Sequence, residues 1–125
     1  MTHLLLVAAG GAVGSALRHL VGLWSLRQFG PNFPWGTLTV NVTGSLLIGI
    51  LAEAIARHFG ASLEMRLFLV TGVLGGYTTF SAFSLDAISL IERGQPAIAA
   101  LYVGSSLVLS AIAVIAGLAL VRAIG

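Results

Sequence analysis

Apolar residues dominate four long stretches of the chain, which three short polar segments separate. The stretches lie at residues 4–26, 35–56, 67–91 and 97–121. Each is close to the roughly 20 apolar residues that a helix needs to cross the hydrocarbon core of a bilayer. The pattern therefore predicts an all-α membrane protein with four transmembrane helices in a single domain, residues 1–125.

The polar segments contain residues that favour turns over helices. Residues 30–34 read GPNFP, a strong turn signal. Pro96 follows the last connector and suits the first turn of the fourth helix. The first stretch does not fit a cleaved signal peptide, because no basic residue precedes it and no small-x-small cleavage site ends it.

The composition agrees with a chain embedded in lipid. It is 58% hydrophobic and only 8% charged, with a mean hydropathy of +1.04. Soluble domains are about 25% charged, so this composition argues against a soluble monomer. The absence of cysteine excludes disulfides, thiolate metal sites and cysteine nucleophiles. The six arginines are scattered rather than clustered, so no nucleic-acid partner is expected.

Arginines in the connectors of a membrane protein normally set its orientation. With four spans, the two termini share one side with the middle connector, and that side carries Arg57, Arg66 and Arg122. The other side carries Arg27 and Arg93. A difference of one arginine is almost no bias. Either one of these charges decides the orientation or the protein inserts both ways.

Four short helices enclose little volume, so we expect the chain to form an oligomer. Small residues let helices approach closely in a membrane. The candidates for such contacts are Gly10, Gly14, Gly44 and Ser45.

Polar side chains interrupt the second and fourth stretches. The amide of Asn41 must find partners inside the protein, and it fits a functional role and helix–helix bonding equally well. The NVT sequon at residues 41–43 lies within a span, so its match is accidental. Tyr102, Ser106 and Ser110 follow i, i+4, i+8 spacing and form one hydroxyl stripe about 12 Å long. We interpret the stripe as the lining of a pathway rather than as plain packing.

The third stretch contains the most unusual run, GVLGGYTTFSAFS at residues 72–84. Adjacent glycines followed by two threonines make a poor helix interior, so we expect a break at residues 75–79. The carbonyls that a break frees can coordinate a small cation. After the break, Phe80 and Phe83 share a helix face, and Ser84 joins them.

Taken together, these motifs resemble the Fluc (CrcB) family of fluoride channels over essentially the whole chain. The similar residues are GGAVG at 10–14 with Arg18, WGTLTVN at 35–41, the GG-x-TTFS core of residues 72–84 and the serine stripe. The combination is specific, whereas each motif alone is weak.

The resemblance implies a passive, fluoride-selective channel in the cell (inner) membrane that lets cytoplasmic fluoride leave and so protects the cell from fluoride. It implies a homodimer of two antiparallel, dual-topology subunits with two separate pores and a third helix broken in mid-membrane. It further implies a structural sodium ion at the dimer interface, held by the main-chain carbonyls of Gly75 and Thr78.

The resemblance also implies which side chains contact fluoride. Phe80 and Phe83 match the aromatic pair of each pore, Asn41 matches the pore asparagine, and the serine stripe matches a hydroxyl track. Arg18 is expected either to attract anions at a vestibule or to act as a snorkelling anchor. Tyr77 and Asp86 receive no role. The expected fluoride pore set is Asn41, Phe80, Phe83, Ser84, Tyr102, Ser106 and Ser110.

Three other classes of protein fit the sequence less well than a channel. A four-helix multidrug antiporter needs a membrane-embedded carboxylate, but Glu53 and Asp86 lie toward span ends. A membrane assembly subunit explains the glycines but not the hydroxyl stripe beside a broken helix. An enzyme is not expected, because His3, His19 and His58 lie near span ends or in loops without nucleophile or metal spacing.

Overall fold

The computed structural model describes residues 1–57 and 63–124. Within these ranges all regular structure is helical. The elements in chain order are α1 (Thr2–Phe29), α2 (Trp35–Arg57), α3 (Leu63–Arg66), a π-helix named π1 (Leu67–Leu74), α4 (Gly75–Tyr77), α5 (Ser81–Glu92) and α6 (Pro96–Ile124).

Four of the helical spans are long and apolar enough to cross a bilayer. They are Thr2–Phe29, Trp35–Arg57, Leu63–Glu92 and Pro96–Ile124, each reaching to or slightly beyond the bounds expected from the sequence. The third span consists of four consecutive elements, α3, π1, α4 and α5. The chain is therefore a multi-pass membrane protein.

Glycine and proline mark the ends of the long helices. Gly30 has a φ of 78° and donates its N–H to the Leu26 carbonyl, which ends α1. Gly94 has a φ of 77° and lies two residues before Pro96, the first residue of α6. A positive φ is accessible to glycine without steric cost, and proline suits a first helical turn.

Glycines also mark the places where helices meet backbone to backbone. α1 packs along π1 and α4, while α2 packs along α6. A Cβ at Gly14 would overlap the Val73 backbone, and one at Gly44 would overlap the Thr78 methyl group. The expectation that Gly10 and Gly14 let helices approach closely is confirmed, whereas Gly44 makes room for side chains of the third span, and the expectation for Ser45 stays a prediction.

At one end of the α2–α6 pair, an acidic side chain bridges two arginines. The Nε of Arg57 lies 3.1 Å from Oε1 of Glu53, and the Nε of Arg122 donates to the same oxygen. Because Glu53 and Arg57 are on α2 and Arg122 is on α6, the cluster joins the ends of the two helices.

Candidate functional site

Helical structure in the third span stops at Tyr77 and resumes at Ser81. Thr78 is extended, with φ −82° and ψ 157°. The two glycines expected within the break are instead helical, as part of α4. A Cβ at Gly76 would meet the carbonyl oxygen and Cα of Gly11 at 2.6 and 3.0 Å. Gly76 therefore serves close packing against α1, and the non-helical residues are 78–80.

The side chain of Asn41 binds both backbone groups of Thr79. Its Nδ2 donates to the Thr79 carbonyl at 3.1 Å, and the Thr79 N–H donates to its Oδ1 at 3.0 Å. The Thr79 hydroxyl in turn accepts the Ala82 N–H at 3.1 Å, which caps the start of α5. Side chains thus satisfy backbone groups that the missing helical turn would otherwise leave unpaired.

These bonds release two carbonyls from their helical partners. In an α-helix the carbonyl of residue i accepts the N–H of residue i+4. The N–H that would serve Gly75 belongs to Thr79 and binds Asn41 instead. The N–H that would serve Thr78 belongs to Ala82 and binds the Thr79 hydroxyl instead. Gly75 and Thr78 therefore present carbonyls without their α-helical donors.

The direction of the Thr78 carbonyl follows from the same bonds. The Thr78 carbonyl and the Thr79 N–H belong to one trans peptide group, whose C=O and N–H point in opposite directions. Since the N–H points at Asn41, the carbonyl points away from Asn41. Carbonyl oxygens are ligands that hard cations accept, so the residues present fit a bound sodium ion.

A cleft of about 380 Å³ lies between α2, the third span and α6. Ser106 in its wall is 5% exposed, and its hydroxyl oxygen has no hydrogen-bond partner among the described residues. Phe80 is 77% exposed, and its ring centroid lies 5.8 Å from that of Phe83. The cleft gathers most of the expected pore and cation residues: Asn41, Gly75, Thr78, Phe80, Phe83, Ser106 and Ser110.

Two expected pore residues, Ser84 and Tyr102, are not part of this lining. Tyr102 is fully buried, with its ring centroid 5.2 Å from that of Phe83. Its hydroxyl donates to Oδ2 of Asp86 at 3.3 Å, and Thr37 donates to the same oxygen at 2.7 Å. Contact between fluoride and Ser84 or Tyr102 stays a prediction.

A second cavity, of about 590 Å³, adjoins the first. Arg18, Thr37, Asp86 and Arg93 line it, and Thr79 lines both cavities. The half-buried Arg18 thus shares a cavity next to the cleft with the carboxylate of Asp86. Whether Arg18 attracts anions at a vestibule or acts as a snorkelling anchor stays a prediction.

Sequence reasoning missed the part that Thr37, Thr79 and Asp86 play in these cavities. Thr37 and Asn41 are separated by one helical turn of α2, a spacing that places both on one face. That spacing was a usable signal. Asp86 gave no such signal, because its partners on α2 and α6 are 49 and 16 residues away in sequence.

Comparison with known proteins identifies the family. Residues 5–118 match the family described as CrcB-like protein, Camphor Resistance (CrcB). The chain is 68% identical over 123 residues to a protein of Rhizobium meliloti, with 98% of each chain covered. It is 65% identical over 122 residues to one of Agrobacterium fabrum and 57% identical over 123 residues to one of Nitrobacter winogradskyi, again with 98% of each chain covered.

All three of these proteins are named fluoride-specific ion channel FluC. The family match covers the interrupted third span, both cavities and nearly all of the four long helices. By these matches, the chain belongs to the CrcB-like family.

Proposed function

We propose that this protein is a fluoride channel and not an enzyme, and that it lets cytoplasmic fluoride leave the cell by passive, uncoupled electrodiffusion. It thereby protects the cell from fluoride toxicity, and it resides in the inner membrane. The observation that carries the proposal is the cleft that joins Asn41, the two phenylalanines and the serines of α6. The names of the close relatives support it.

The cleft offers what a small, strongly hydrated anion requires. Fluoride must exchange its water for other donors, and the unpaired hydroxyl of Ser106 is one. The amide nitrogen of Asn41 has two N–H groups, and Thr79 takes one of them. The edges of the Phe80 and Phe83 rings carry partial positive charge. No arginine or lysine lines this cleft among the described residues, so the ion is bound weakly enough to leave.

The cleft requires a protein cover, and the proposed cover is a second, antiparallel copy of the chain. Ser110 is the central residue of α6, and the interruption falls at the middle of the 30-residue span Leu63–Glu92. Both features therefore lie near mid-membrane, where polar groups cannot face lipid. The near-equal arginine counts support insertion in both orientations, which an antiparallel homodimer requires.

The sodium ion is proposed to bind where two interrupted spans meet at the dimer axis. The carbonyls of Gly75 and Thr78 lack their α-helical donors, and Gly75 is exposed on the single chain. When bound, the ion would supply a positive charge that attracts the negative ends of these carbonyl dipoles. The chain's own contribution is to hold the Thr78 carbonyl at a fixed angle, because Asn41 binds the N–H of the same peptide group.

The surroundings of the carboxylates support a channel better than they support a proton-coupled drug exchanger. Such an exchanger needs an acid that binds proton and drug in turn. Glu53 bridges Arg57 and Arg122. Asp86 accepts bonds from Thr37 and Tyr102. Both carboxylates already have partners, so neither is free to bind a proton and a drug in turn.

The test is ion efflux from liposomes that contain the purified protein, followed with fluoride and chloride electrodes. We expect rapid fluoride efflux that carries current, with chloride nearly excluded. Equal efflux of the two ions, or efflux that needs a proton gradient and carries no current, would contradict the proposal.

Neighbouring serines on α6 provide a matched pair of variants. Ser106→Ala removes the buried, unpaired hydroxyl of a residue that lines the cleft and is expected to slow fluoride efflux at least tenfold. Ser105→Ala removes a hydroxyl that bonds its own helix at the Tyr102 carbonyl, at 3.2 Å, and is expected to leave efflux unchanged. Equal rates in the two variants would exclude Ser106 from the ion path.

A further inference from the structure

The hydroxyl of Tyr77 is buried against α2. The side chain is 8% exposed, and its oxygen lies 2.8 Å from Oγ1 of Thr43. Oγ1 of Thr43 also lies 2.7 Å from the Thr39 carbonyl, to which it donates its single proton. Tyr77 must therefore be the donor to Thr43. The three residues form a directed chain that ends on the backbone of α2.

This chain lies directly before the interruption of the third span. Tyr77 is the last residue of α4, and Thr78 is the extended residue that follows. The Thr78 methyl group fits against Gly44, where a Cβ would overlap it. Asn41 binds Thr79. α2 thus holds three consecutive residues, each through a different side-chain or backbone contact.

The two hydrogen-bonded contacts hold the Thr78 carbonyl from both sides. Asn41 fixes the peptide group that contains this carbonyl, because it binds the N–H of that group. Tyr77 fixes the preceding residue relative to the same helix, because its ring and hydroxyl are buried at Thr43. The N–H and the hydroxyl of Thr78 both bind the Leu74 carbonyl at 2.9 Å, so removing one of the two contacts to α2 loosens chiefly the angle ψ, which sets the direction of the Thr78 carbonyl.

We propose that Tyr77 and Thr43 form a positioning pair that sets the Thr78 carbonyl at the angle the central cation requires. The pair contacts neither the cation nor fluoride and acts through the backbone of Thr78. This inference rests on the proposed function, in particular on its sodium site. The inference assigns a role to Tyr77, a residue for which the sequence indicated none.

The test measures dimer stability against sodium concentration, with N-methyl-D-glucamine as the replacing cation. Tyr77→Phe and Thr43→Val each remove one hydroxyl and nearly preserve shape. Each is expected to raise the sodium concentration that half-stabilises the dimer about threefold to tenfold, the equivalent of one hydrogen bond. The double variant is expected to match the single variants, because both remove the same bond.

Two control variants separate positioning from general packing. Thr43→Ser keeps the hydroxyl and is expected to retain the wild-type sodium midpoint. Thr71→Val makes the same chemical change at an exposed threonine of π1 that lines neither cavity, and it too is expected to leave the midpoint unchanged.

The outcomes separate this inference from the proposed function. A wild-type dimer that depends on sodium, with variants of unchanged midpoint, overturns the positioning pair and leaves the channel proposal standing. A wild-type dimer indifferent to sodium overturns both the sodium site and the pair. Variants that fail to dimerise even in saturating sodium show that the pair holds the fold, which also overturns the inference.

Discussion

Replacing Asn41 by leucine tests the feature on which the interruption depends. The substitution keeps a side chain of similar size and removes both bonds to Thr79, at 3.1 and 3.0 Å. A hydrogen bond contributes about 0.5–1.5 kcal/mol net in water and about 0.6 kcal/mol on average between membrane helices. Leucine leaves the N–H and the carbonyl of Thr79 without their partner, at about 1–3 kcal/mol for each group, so the free energy of unfolding is expected to fall by about 2–6 kcal/mol.

The assay is unfolding of the purified protein in mixed micelles with a rising fraction of SDS. Asn32→Leu is the matched control, because it makes the same chemical change at an exposed position outside the helices. We expect the control to unfold as the wild type does. In liposomes, Asn41→Leu is expected to abolish fluoride efflux, since it removes a donor from the cleft and frees the backbone at Thr79.

The reasoning is refuted if Asn41→Leu matches Asn32→Leu in both stability and efflux. Normal stability with lost efflux would assign Asn41 to the ion path and show that its bonds to Thr79 contribute little to folding. Lower stability with normal efflux would show that Asn41 only stabilises the backbone at Thr79, and it would remove Asn41 from the predicted pore set.

Three further predictions concern the rings, the packing and the orientation. We expect Phe80→Ile and Phe83→Ile to reduce fluoride efflux at least tenfold while the dimer still forms, since isoleucine lacks the positive ring edge. The control Phe68→Ile changes a residue outside the cleft lining and is expected to behave as wild type. Normal efflux in both cleft variants would show that these rings are ordinary packing. Gly14→Ala is expected to cost about 1–3 kcal/mol by overpacking against the Val73 backbone, whereas Gly104→Ala, which meets open space, is expected to be neutral in the same unfolding assay. A tag at the C-terminus is expected to be accessible from both sides of the membrane, and labelling from one side alone would contradict dual topology.

The sequence predicted the helices well because hydropathy and length are local properties. Four stretches of apolar residues correspond to four long helices. The i, i+4 spacing of Ser106 and Ser110 correctly placed both on one wall of the cleft. Helical period alone also placed Tyr102 on that face, yet its hydroxyl bonds Asp86, a partner that only the packing of α5 against α6 supplies.

The location of the interruption was less predictable. Glycine propensity pointed to residues 75–79, whereas the non-helical residues are 78–80. The shift has two causes, both remote in sequence. Gly76 stays helical where it packs against Gly11 of α1, and Thr79 leaves the helix where Asn41 binds its backbone. Propensity describes a residue's local cost and carries no information about a partner 38 residues away.

The bonds between Asn41 and Thr79 also bear on the order in which the protein is made. A lone third span entering the bilayer has no donor or acceptor for the backbone of Thr79, and unpaired groups in lipid cost several kcal/mol each. Synthesis runs from the N-terminus, so α2 is complete before residues 63–92 leave the ribosome. During insertion α2 is thus already present, and its Asn41 is available to pair with the backbone of Thr79 where the third span leaves the helix.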